Sequence, residues 1–243
     1  MNGEAAKTLV AIDGPVASGK STLGAALAER LGYTYFDSGV IYRALTWLAL
    51  QRGVDVRDAR RLAQLAREMD LTVERPAPGT TDARQYTVRL NGQDVTWAIR
   101  SPEVDRNVSA VSAHPTVRAA LTGGLRRIAE GGRMVMVGRD IGTVVLPDAG
   151  LKIYLTASAE ERARRRFAEV QARGVAEEYE SILKDLQRRD ALDGGREAAP
   201  MRPALDARIL DTDRRTVPEL VELVLREMQG TGATNASERA EPS

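Results

Sequence analysis

The segment of residues 14–21, Gly-Pro-Val-Ala-Ser-Gly-Lys-Ser, constrains the fold more than any other part of this sequence. It follows the pattern G-x-x-x-x-G-K-[ST] between a short apolar run and a helical pattern. Gly14 and Gly19 permit a tight turn and close approach to a phosphate, which loop amides and a helix N-terminus attract. Lys20 supplies a mobile cation, and the Ser21 hydroxyl is placed for Mg²⁺. The sequence therefore predicts a phosphate-binding P-loop, the alternative being a glycine-rich turn that binds nothing.

Five short apolar runs favour strands buried on both faces, because their apolar residues are continuous rather than alternating. Helical patterns lie between most of the runs, two of them opening with Pro and two with a capping box. The alternation predicts an α/β fold, with a five-stranded parallel sheet and helices on both faces. The predicted strands are residues 9–13, 33–36, 134–137, 151–155 and 208–210, and the predicted helices are 19–31, 40–51 and 58–69 and those opening near Pro102, Pro115, Ser158 and Thr216.

One region departs from this alternation. Between about residues 71 and 95 the pattern favours antiparallel strands, and Asn91-Gly92 is a tight hairpin signal. Residues 76–81 form a loop by composition. After Gln229 the chain is small and polar, which predicts a disordered tail. The predicted division is a core of residues 1–70 and 114–229, an inserted subdomain of 71–113, and a tail of 230–243.

Composition excludes several classes of function. The net charge of +1 gives no general attraction to nucleic acid polymers or membranes, so an anion site must come from local arginines. The absence of Cys excludes disulfides, thiolate catalysis and Cys-bound zinc. The sequence shows neither a signal peptide nor an apolar stretch long enough for a membrane helix. We therefore expect a cytoplasmic protein, and a monomer as the simplest state.

Three further segments suggest a second, acceptor site. Residues 37–43, Asp-Ser-Gly-Val-Ile-Tyr-Arg, follow the second predicted strand. They lie at a carboxyl end of the sheet, where ligands bind in folds of this kind. Ser38, with Tyr42 and Arg43 one turn later, suits a small phosphorylated molecule. The alternative is an N-cap with a half-buried Tyr and a surface Arg.

The second segment, residues 138–142, follows the third core strand as Gly-Arg-Asp-Ile-Gly. The guanidinium of Arg139 suits bidentate contact with a phosphate. The carboxylate of Asp140 is able to accept a hydrogen bond from a cytosine amino group. The alternative is an ion pair in a surface loop.

The third segment is rich in arginine, with Arg162 and Arg164–Arg166 followed by Arg173 and by residues 188–196. Phosphoryl transfer depends on positioning and charge stabilisation, so a kinase uses mobile arginines that close over phosphates. The alternative is a solvated helix face with pairs such as Glu161 and Arg165. We expect Arg164 to be such a bystander.

Together these segments resemble the bacterial cytidylate kinase family of P-loop nucleoside monophosphate kinases. The resemblance spans about residues 9–228. It rests on residues 12–15 with 18–21, 37–43, 138–145, Arg189-Asp190 with Asp193, Arg196 and 199–200, and residues 210–212. It implies transfer of the terminal phosphoryl group of ATP, with Mg²⁺, to CMP or dCMP. It also implies a P-loop NTPase three-layer core, a monophosphate-binding insertion and an Arg-rich helical lid at about 159–173.

The resemblance also assigns roles to matching residues. Lys20, Arg162 and Arg166 are expected to neutralise charge on the transferring group, and Arg43, Arg139 and Arg196 to hold the acceptor phosphate. Ser109, Arg118 and Asp140 are expected to read the cytosine edge, and Ser38, Tyr42, Arg189 and Asp193 to line the nucleotide and its ribose. The residues expected to bind ATP are Gly14, Pro15, Val16, Ala17, Ser18, Gly19, Lys20, Ser21 and Thr22, with Ser21 also at the metal.

Two alternative functions are less favoured by the sequence. Another small-molecule P-loop kinase would share the P-loop and lid but lack the three residues expected to read cytosine. A non-kinase P-loop nucleotide-binding protein would need a guanine-reading motif such as Asn-Lys-x-Asp, which is absent. His114, the only histidine, precedes Pro115 and is interpreted as a helix-boundary residue rather than a catalytic one.

Overall fold

The computed structural model describes residues 8–237 except 75, 83, 85, 173 and 175, with side chains described through residue 228. Two compact units share the chain. The first comprises the described residues up to 36, 131–190 and those from 202 onward, and the second comprises 37–130 and 191–201. Three sequence-based predictions fall partly outside the described residues: Arg173 at the end of the lid, residues 75, 83 and 85 of the antiparallel region 71–95, and residues 238–243 of the tail.

The first unit is built on a five-stranded sheet in the order β2-β6-β1-β7-β8. Strand β1 pairs in parallel with β6 and β7, and β7 pairs in parallel with β8. All five predicted core strands are confirmed, with ends that differ by at most one residue. The strands are β1 (Leu9–Asp13), β2 (Thr34–Asp37), β6 (Met134–Val137), β7 (Leu151–Thr156) and β8 (Arg208–Asp211).

Four helices accompany this sheet: α1 (Lys20–Leu31), α6 (Ala159–Ala172), α7 (Tyr179–Gly194) and α8 (Val217–Ser237). Gly32 ends α1 in the left-handed conformation, and its N–H bonds to the carbonyls of Ala28 and Glu29. Ser158 caps α6 by accepting a hydrogen bond from the Glu161 N–H. Because α8 continues to Ser237, residues 230–237 are helical where the sequence predicted disorder.

The core of the first unit is apolar on both faces of the central strands. Val10 and Ile12 of β1 are buried with Val135 and Val137 of β6. Side chains of α1 and α8, including Leu23 and Leu27 on α1, pack in the same cluster. This continuous burial explains why the strands read as unbroken apolar runs in the sequence.

The second unit combines helices with a small antiparallel sheet. Its helices are α2 (Gly39–Gln51), α3 (Ala59–Glu68), α4 (Pro102–Ala113) and α5 (Pro115–Ile128), and its strands are β3 (Leu71–Glu74), β4 (Thr87–Leu90) and β5 (Gln93–Asp94). Strand β4 pairs antiparallel with both β3 and β5. Asn91 and Gly92 have φ values of 50° and 80°, as the predicted hairpin turn requires.

This second unit contains more of the chain than the insertion of residues 71–113 expected from the sequence. Helix α4 packs on α2, and α5 packs on α3, so helices outside that range share its contacts. His114 lies at the boundary between α4 and α5, and its Nε2 is 2.8 Å from the Val56 carbonyl oxygen. The interpretation of His114 as a helix-boundary residue is thereby supported. Within the described part of the chain, no helix is both long enough and apolar enough to cross a bilayer.

The close packing of α1 on the sheet gives a first prediction. A Cβ at Gly24 would lie 2.6 Å from Val137 Cγ1 and 3.0 Å from the Tyr35 ring. We expect Gly24→Ala to lower the free energy of unfolding by about 1–3 kcal/mol, because the added methyl overpacks the core.

Gly123→Ala on α5 is the matched control for Gly24→Ala. Its Cβ would meet only the Arg127 guanidinium, at 3.8 Å, so the better helix propensity of alanine should stabilise by about 0.5–1 kcal/mol. Urea unfolding of both variants measures the difference. Equal effects would show that α1 shifts at no cost to admit the methyl group.

Candidate active site

The loop after β1 turns so tightly that it needs a glycine at its first position. Gly14 has a φ of 145°, and a Cβ there would lie 2.4 Å from the backbone oxygen of Leu155 on β7. Ala17 and Gly19 also have positive φ values, 59° and 91°. The loop therefore closes into a ring against the sheet and leads directly into α1.

Lys20 is held inside this ring. Its side chain is buried, and Nζ donates to the carbonyl oxygen of Pro15 at 2.5 Å. Ser18 Oγ is buried and, among the described residues, has no hydrogen-bond partner. Ser21 and Thr22 are exposed in the first turn of α1. A buried cation, an unsatisfied hydroxyl and an open helix N-terminus fit a bound triphosphate and its metal ion.

Two residues to which the sequence analysis assigned no individual role, Thr212 and Arg165, also contact this ring. Thr212 Oγ1, almost fully buried, lies 3.2 Å from the carbonyl oxygen of Ser18. Arg165 donates to the hydroxyl and carbonyl oxygens of Thr212 at 3.0 and 2.7 Å. Its guanidinium also lies 3.8 Å from the position of a Cβ on Gly19. Arg165 therefore does more than form the predicted pair with Glu161, which is also present.

The predicted catalytic Arg162 is built into the same unit. It is buried and donates to the carbonyl oxygen of Val16 in the P-loop at 3.2 Å. Its guanidinium also forms an ion pair with Asp190 at 2.6 Å. Arg162 is thus tied to the phosphate-binding loop. Asp190 stands beside predicted residues in the sequence but had no role assigned to it.

The other arginines of α6 differ in their surroundings. Arg166 is partly exposed and forms an ion pair with Glu169 at 3.1 Å. Arg164 is exposed and pairs with Glu161, as expected for a bystander on the solvated face. The helix therefore presents two anchored arginines, Arg162 and Arg165, and two, Arg164 and Arg166, that pair with glutamates nearer the surface.

The segment after β6 begins at the buried Gly138 and continues through Arg139 and Asp140. Arg139 is partly exposed, and its guanidinium donates to the carbonyl oxygen of Gly138 at 3.3 Å. Asp140 is buried, and its carbonyl oxygen accepts from Val144 and Val145 in a one-turn π-helix, Ile141–Val145. Both predicted residues therefore lie where a rigid turn leaves the carboxyl end of the sheet.

Asp13, the last residue of β1, contacts this turn; it lies in the 12–15 segment of the resemblance, but the sequence analysis assigned it no role. Its two carboxylate oxygens accept hydrogen bonds from the N–H groups of Ile141 and Gly142, both at 2.8 Å. Burial raises the pKa of Asp13 to about 6, although the two backbone N–H groups and nearby Lys20 favour its charged form. Its position directly before the P-loop glycine, within the 12–15 segment of the resemblance, was the sequence signal for it.

The second unit brings together most residues expected at the acceptor. The guanidinium of Arg118 lies 5.1 Å from the centre of the Tyr42 ring and donates to the carbonyl oxygen of Ser112 at 3.1 Å. Ser112 Oγ in turn donates to the carbonyl oxygen of Ser109 at 3.1 Å. Arg196 donates to Ser112 Oγ at 3.2 Å. Ser112 therefore joins predicted residues, although nothing in the sequence marked it.

Arg196 also pairs with a predicted neighbour. It forms a close ion pair with Asp193, and both side chains are almost fully buried. The backbone N–H of Met201 donates to the carbonyl oxygen of Asp193 at 2.9 Å, which closes the loop after α7. A buried, fixed guanidinium of this kind suits the binding of a phosphate.

Arg43 is held by other contacts within this unit. It forms an ion pair with Asp105 of α4 at 2.6 Å and donates to the carbonyl oxygen of Ile99 at 3.2 Å. Ser38 is buried at the start of α2, where Gly39 N–H bonds to Asp37 Oδ1 at 2.9 Å. Asp105 carried no sequence signal, because its partner is 62 residues away.

The predicted site residues are thus divided between the two units. The first contains the P-loop residues, Arg139, Asp140, Arg162, Arg166 and the buried Arg189. The second contains Ser38, Tyr42, Arg43, Ser109, Arg118, Asp193 and Arg196. Within each unit the residues form a consistent set, one with cations around a P-loop and one with arginines, serines and a tyrosine.

Comparison with known proteins places the chain in a family. The model of a family described as cytidylate kinase matches residues 10–230. A cytidylate kinase from Herpetosiphon aurantiacus is 52% identical over 89% of this chain and 92% of its own length. One from Chloroflexus aggregans is 54% identical over 89% and 91% of the two chains. One from Roseiflexus castenholzii is 47% identical over 90% and 93%. The P-loop and the turn after β6 lie within the matched region, and this chain belongs to the cytidylate kinase family.

Proposed function

We propose that this protein is a cytidylate kinase that transfers the terminal phosphoryl group of ATP to CMP or dCMP in the presence of Mg²⁺. The observation that carries the proposal is the preformed P-loop with its tethered Lys20, within a chain that matches the family over residues 10–230. Its reaction would supply a pyrimidine nucleoside diphosphate. The cytoplasmic location and monomeric state expected from the sequence stay predictions.

The residues assigned to the phosphate donor, ATP, act through charges that the structure holds in place. The P-loop amides cradle the phosphates of ATP, while Lys20 exchanges its bond to Pro15 for contact with the β- and γ-phosphates. Arg162, anchored on the Val16 carbonyl, and the more exposed Arg166 stabilise the charge that spreads over the transferring group. Mg²⁺, with Ser21 as its protein ligand, would neutralise the bound phosphates when present.

The acceptor residues act by position. Arg43, Arg139 and Arg196 hold the phosphate of CMP, whose oxygen is the nucleophile, so no general base is required. Ser38, Tyr42, Arg189 and Asp193 line the nucleotide and its ribose. Closure of the α6 lid would exclude water from the γ-phosphate.

Base selection is assigned to Ser109, Arg118 and Asp140. Cytosine presents an amino donor where uracil presents a carbonyl acceptor, so a carboxylate there pairs with cytosine and repels uracil. An unpaired buried acceptor costs about 1–3 kcal/mol, which corresponds to about a 5- to 150-fold preference. A different small-molecule kinase would show no such dependence on the base.

Replacement of Lys20 tests the donor assignment. We expect Lys20→Ala to lower kcat by about 100-fold or more, because the cation that stabilises the transferring phosphoryl group is removed. An ADP-release assay with CMP measures the loss, and far-ultraviolet circular dichroism confirms that the fold is retained. A folded variant with near-normal kcat would contradict the role of Lys20.

Replacement of Asp140 tests base selection. Asp140→Ala should lower kcat/KM for CMP while the KM for ATP changes little. The CMP-to-UMP ratio of kcat/KM should fall by about tenfold, within the range that one unpaired buried group provides. An equal loss with both nucleotides would show that Asp140 does not read the base.

The α6 helix offers an internal comparison between two arginines. Arg162→Ala should lower kcat by about 100-fold, whereas Arg164→Ala, on the exposed face, should change it by less than about twofold. Thermal unfolding of both variants separates catalytic loss from the loss of the Arg162–Asp190 ion pair. Comparable kcat values for the two variants would remove Arg162 from the catalytic set.

A further inference from the structure

The carboxylate of Asp13 caps a turn that belongs to another part of the chain. The π-helix Ile141–Val145 begins with two N–H groups that need acceptors, and its own N-cap residue, Asp140, makes no side-chain capping bond. Asp13 supplies both acceptors, one from each carboxylate oxygen, at 2.8 Å. Its side chain is only 4% exposed, so water cannot readily replace these bonds.

The same turn is closed on its other side by Lys152 of β7. A Cβ at Gly142 would lie 3.3–3.4 Å from the aliphatic stem of Lys152. Lys152 Nζ is itself fixed by Asp206, at 2.7 and 3.0 Å from the two carboxylate oxygens. The turn is therefore held between a hydrogen-bonding carboxylate and a packed methylene chain.

The P-loop does not depend on the Asp13 carboxylate in the same way. Gly14 is placed by its close approach to the Leu155 carbonyl on β7, and Lys20 by its bond to Pro15. The hydrogen bonds of the Asp13 side chain go instead to the segment that carries Arg139 and Asp140. A change confined to this carboxylate should act first on that segment.

We propose that Asp13 is a positioning residue of the acceptor site: its buried carboxylate orients the turn that carries Arg139 and Asp140, and its protonation weakens binding of the acceptor nucleotide. The inference rests on the acceptor roles proposed above for these two residues. Asp13 touches neither substrate in this account and acts through the turn.

The charge environment sets the direction of the pH effect. Desolvation raises the pKa of Asp13 to about 6, and the nearby charge of Asp140 adds to the increase, whereas the two backbone N–H groups and Lys20 of α1 oppose it. On the neighbouring strand β7, Tyr154 is paired with Asp13, and the pKa of its hydroxyl is raised by burial and, to a smaller extent, by the charge of Asp13. Above about pH 6 the carboxylate accepts both hydrogen bonds. As pH falls through that value, the carboxyl group gains a proton and one acceptor is lost.

The stability of the folded protein should depend on pH in the opposite direction from CMP binding. Because the pKa in the folded protein is above the ordinary value of 3.8, the folded state binds this proton more tightly than the unfolded state. The contribution of Asp13 to stability therefore falls as pH rises between about 4 and 6. The charged form is retained at a cost in stability, as expected for a group whose role is functional.

Asp13→Asn is the first test, since the amide presents one oxygen to two N–H donors. We expect the KM for CMP to rise by about tenfold, with the KM for ATP changed by less than about twofold. The ratio of wild-type to variant kcat/KM for CMP should be large at pH 8 and approach one below about pH 6. Taking this ratio cancels the titration of the phosphate of CMP itself.

Gly142→Ala is the matched control because it displaces the same turn from the Lys152 side and leaves the carboxylate in place. It should raise the KM for CMP as well, but its ratio to wild type should be independent of pH. If Asp13→Asn does not fold, Asp13→Ser, which also lacks a titrating carboxylate, is compared with Gly142→Ala in the same way. Its ratio to wild type should change with pH while that of Gly142→Ala stays constant.

The outcomes separate this inference from the proposed function. A wild-type protein that forms no CDP at any pH contradicts the proposed function, and this inference with it. If the wild-type protein is active, either of two results for Asp13→Asn overturns the positioning role and leaves the proposed function intact. In the first, the KM for CMP is unchanged. In the second, the KM values for CMP and ATP rise equally, and the ratio of wild-type to variant kcat/KM for CMP does not vary with pH. If Asp13→Ser is the variant measured, a pH-independent ratio overturns the positioning role.

Discussion

The turn at Gly14 is the constraint on which the phosphate site depends. With a φ of 145° and the Leu155 carbonyl 2.4 Å from where a Cβ would stand, this position excludes every side chain. The amides of the following residues then form a ring that ends in α1, with Lys20 tethered to Pro15. The donor site is therefore preformed by backbone geometry that the central strands β1 and β7 impose.

In each of the two units, buried arginines are kept in ion pairs or in hydrogen bonds to backbone. Arg162 lies between the Val16 carbonyl and Asp190, and in the second unit Arg196 pairs with Asp193. A buried guanidinium without such partners would carry a large desolvation cost. The arrangement keeps cations in place before substrate binds, which reduces the reorganisation required during phosphoryl transfer. Carboxylates such as Asp190 therefore hold in place the arginines to which the proposed function assigns contact with phosphates.

Local patterns predicted much of the fold and the P-loop turn. The five core strands, the glycine end of α1 and the Asn91-Gly92 turn follow from periodicity and backbone preferences, which act within a few residues. No role was assigned to Thr212, Ser112, Asp105 or Asp13, because their partners are distant in sequence; Asp13, for example, contacts residues 128 and 129 positions away. The range of residues that forms the second unit also depends on packing between helices, which no local sequence pattern specifies.

The fate of the transferred phosphorus atom tests the central claim most directly. Purified protein is mixed with Mg²⁺, CMP and ATP labelled in its γ-phosphate, and the labelled products are separated. The account predicts that the label appears in the β-phosphate of CDP, with much less transfer to UMP. Label released only as inorganic phosphate, or transferred equally to CMP and UMP, would contradict a P-loop that delivers its phosphoryl group to a selected cytosine nucleotide.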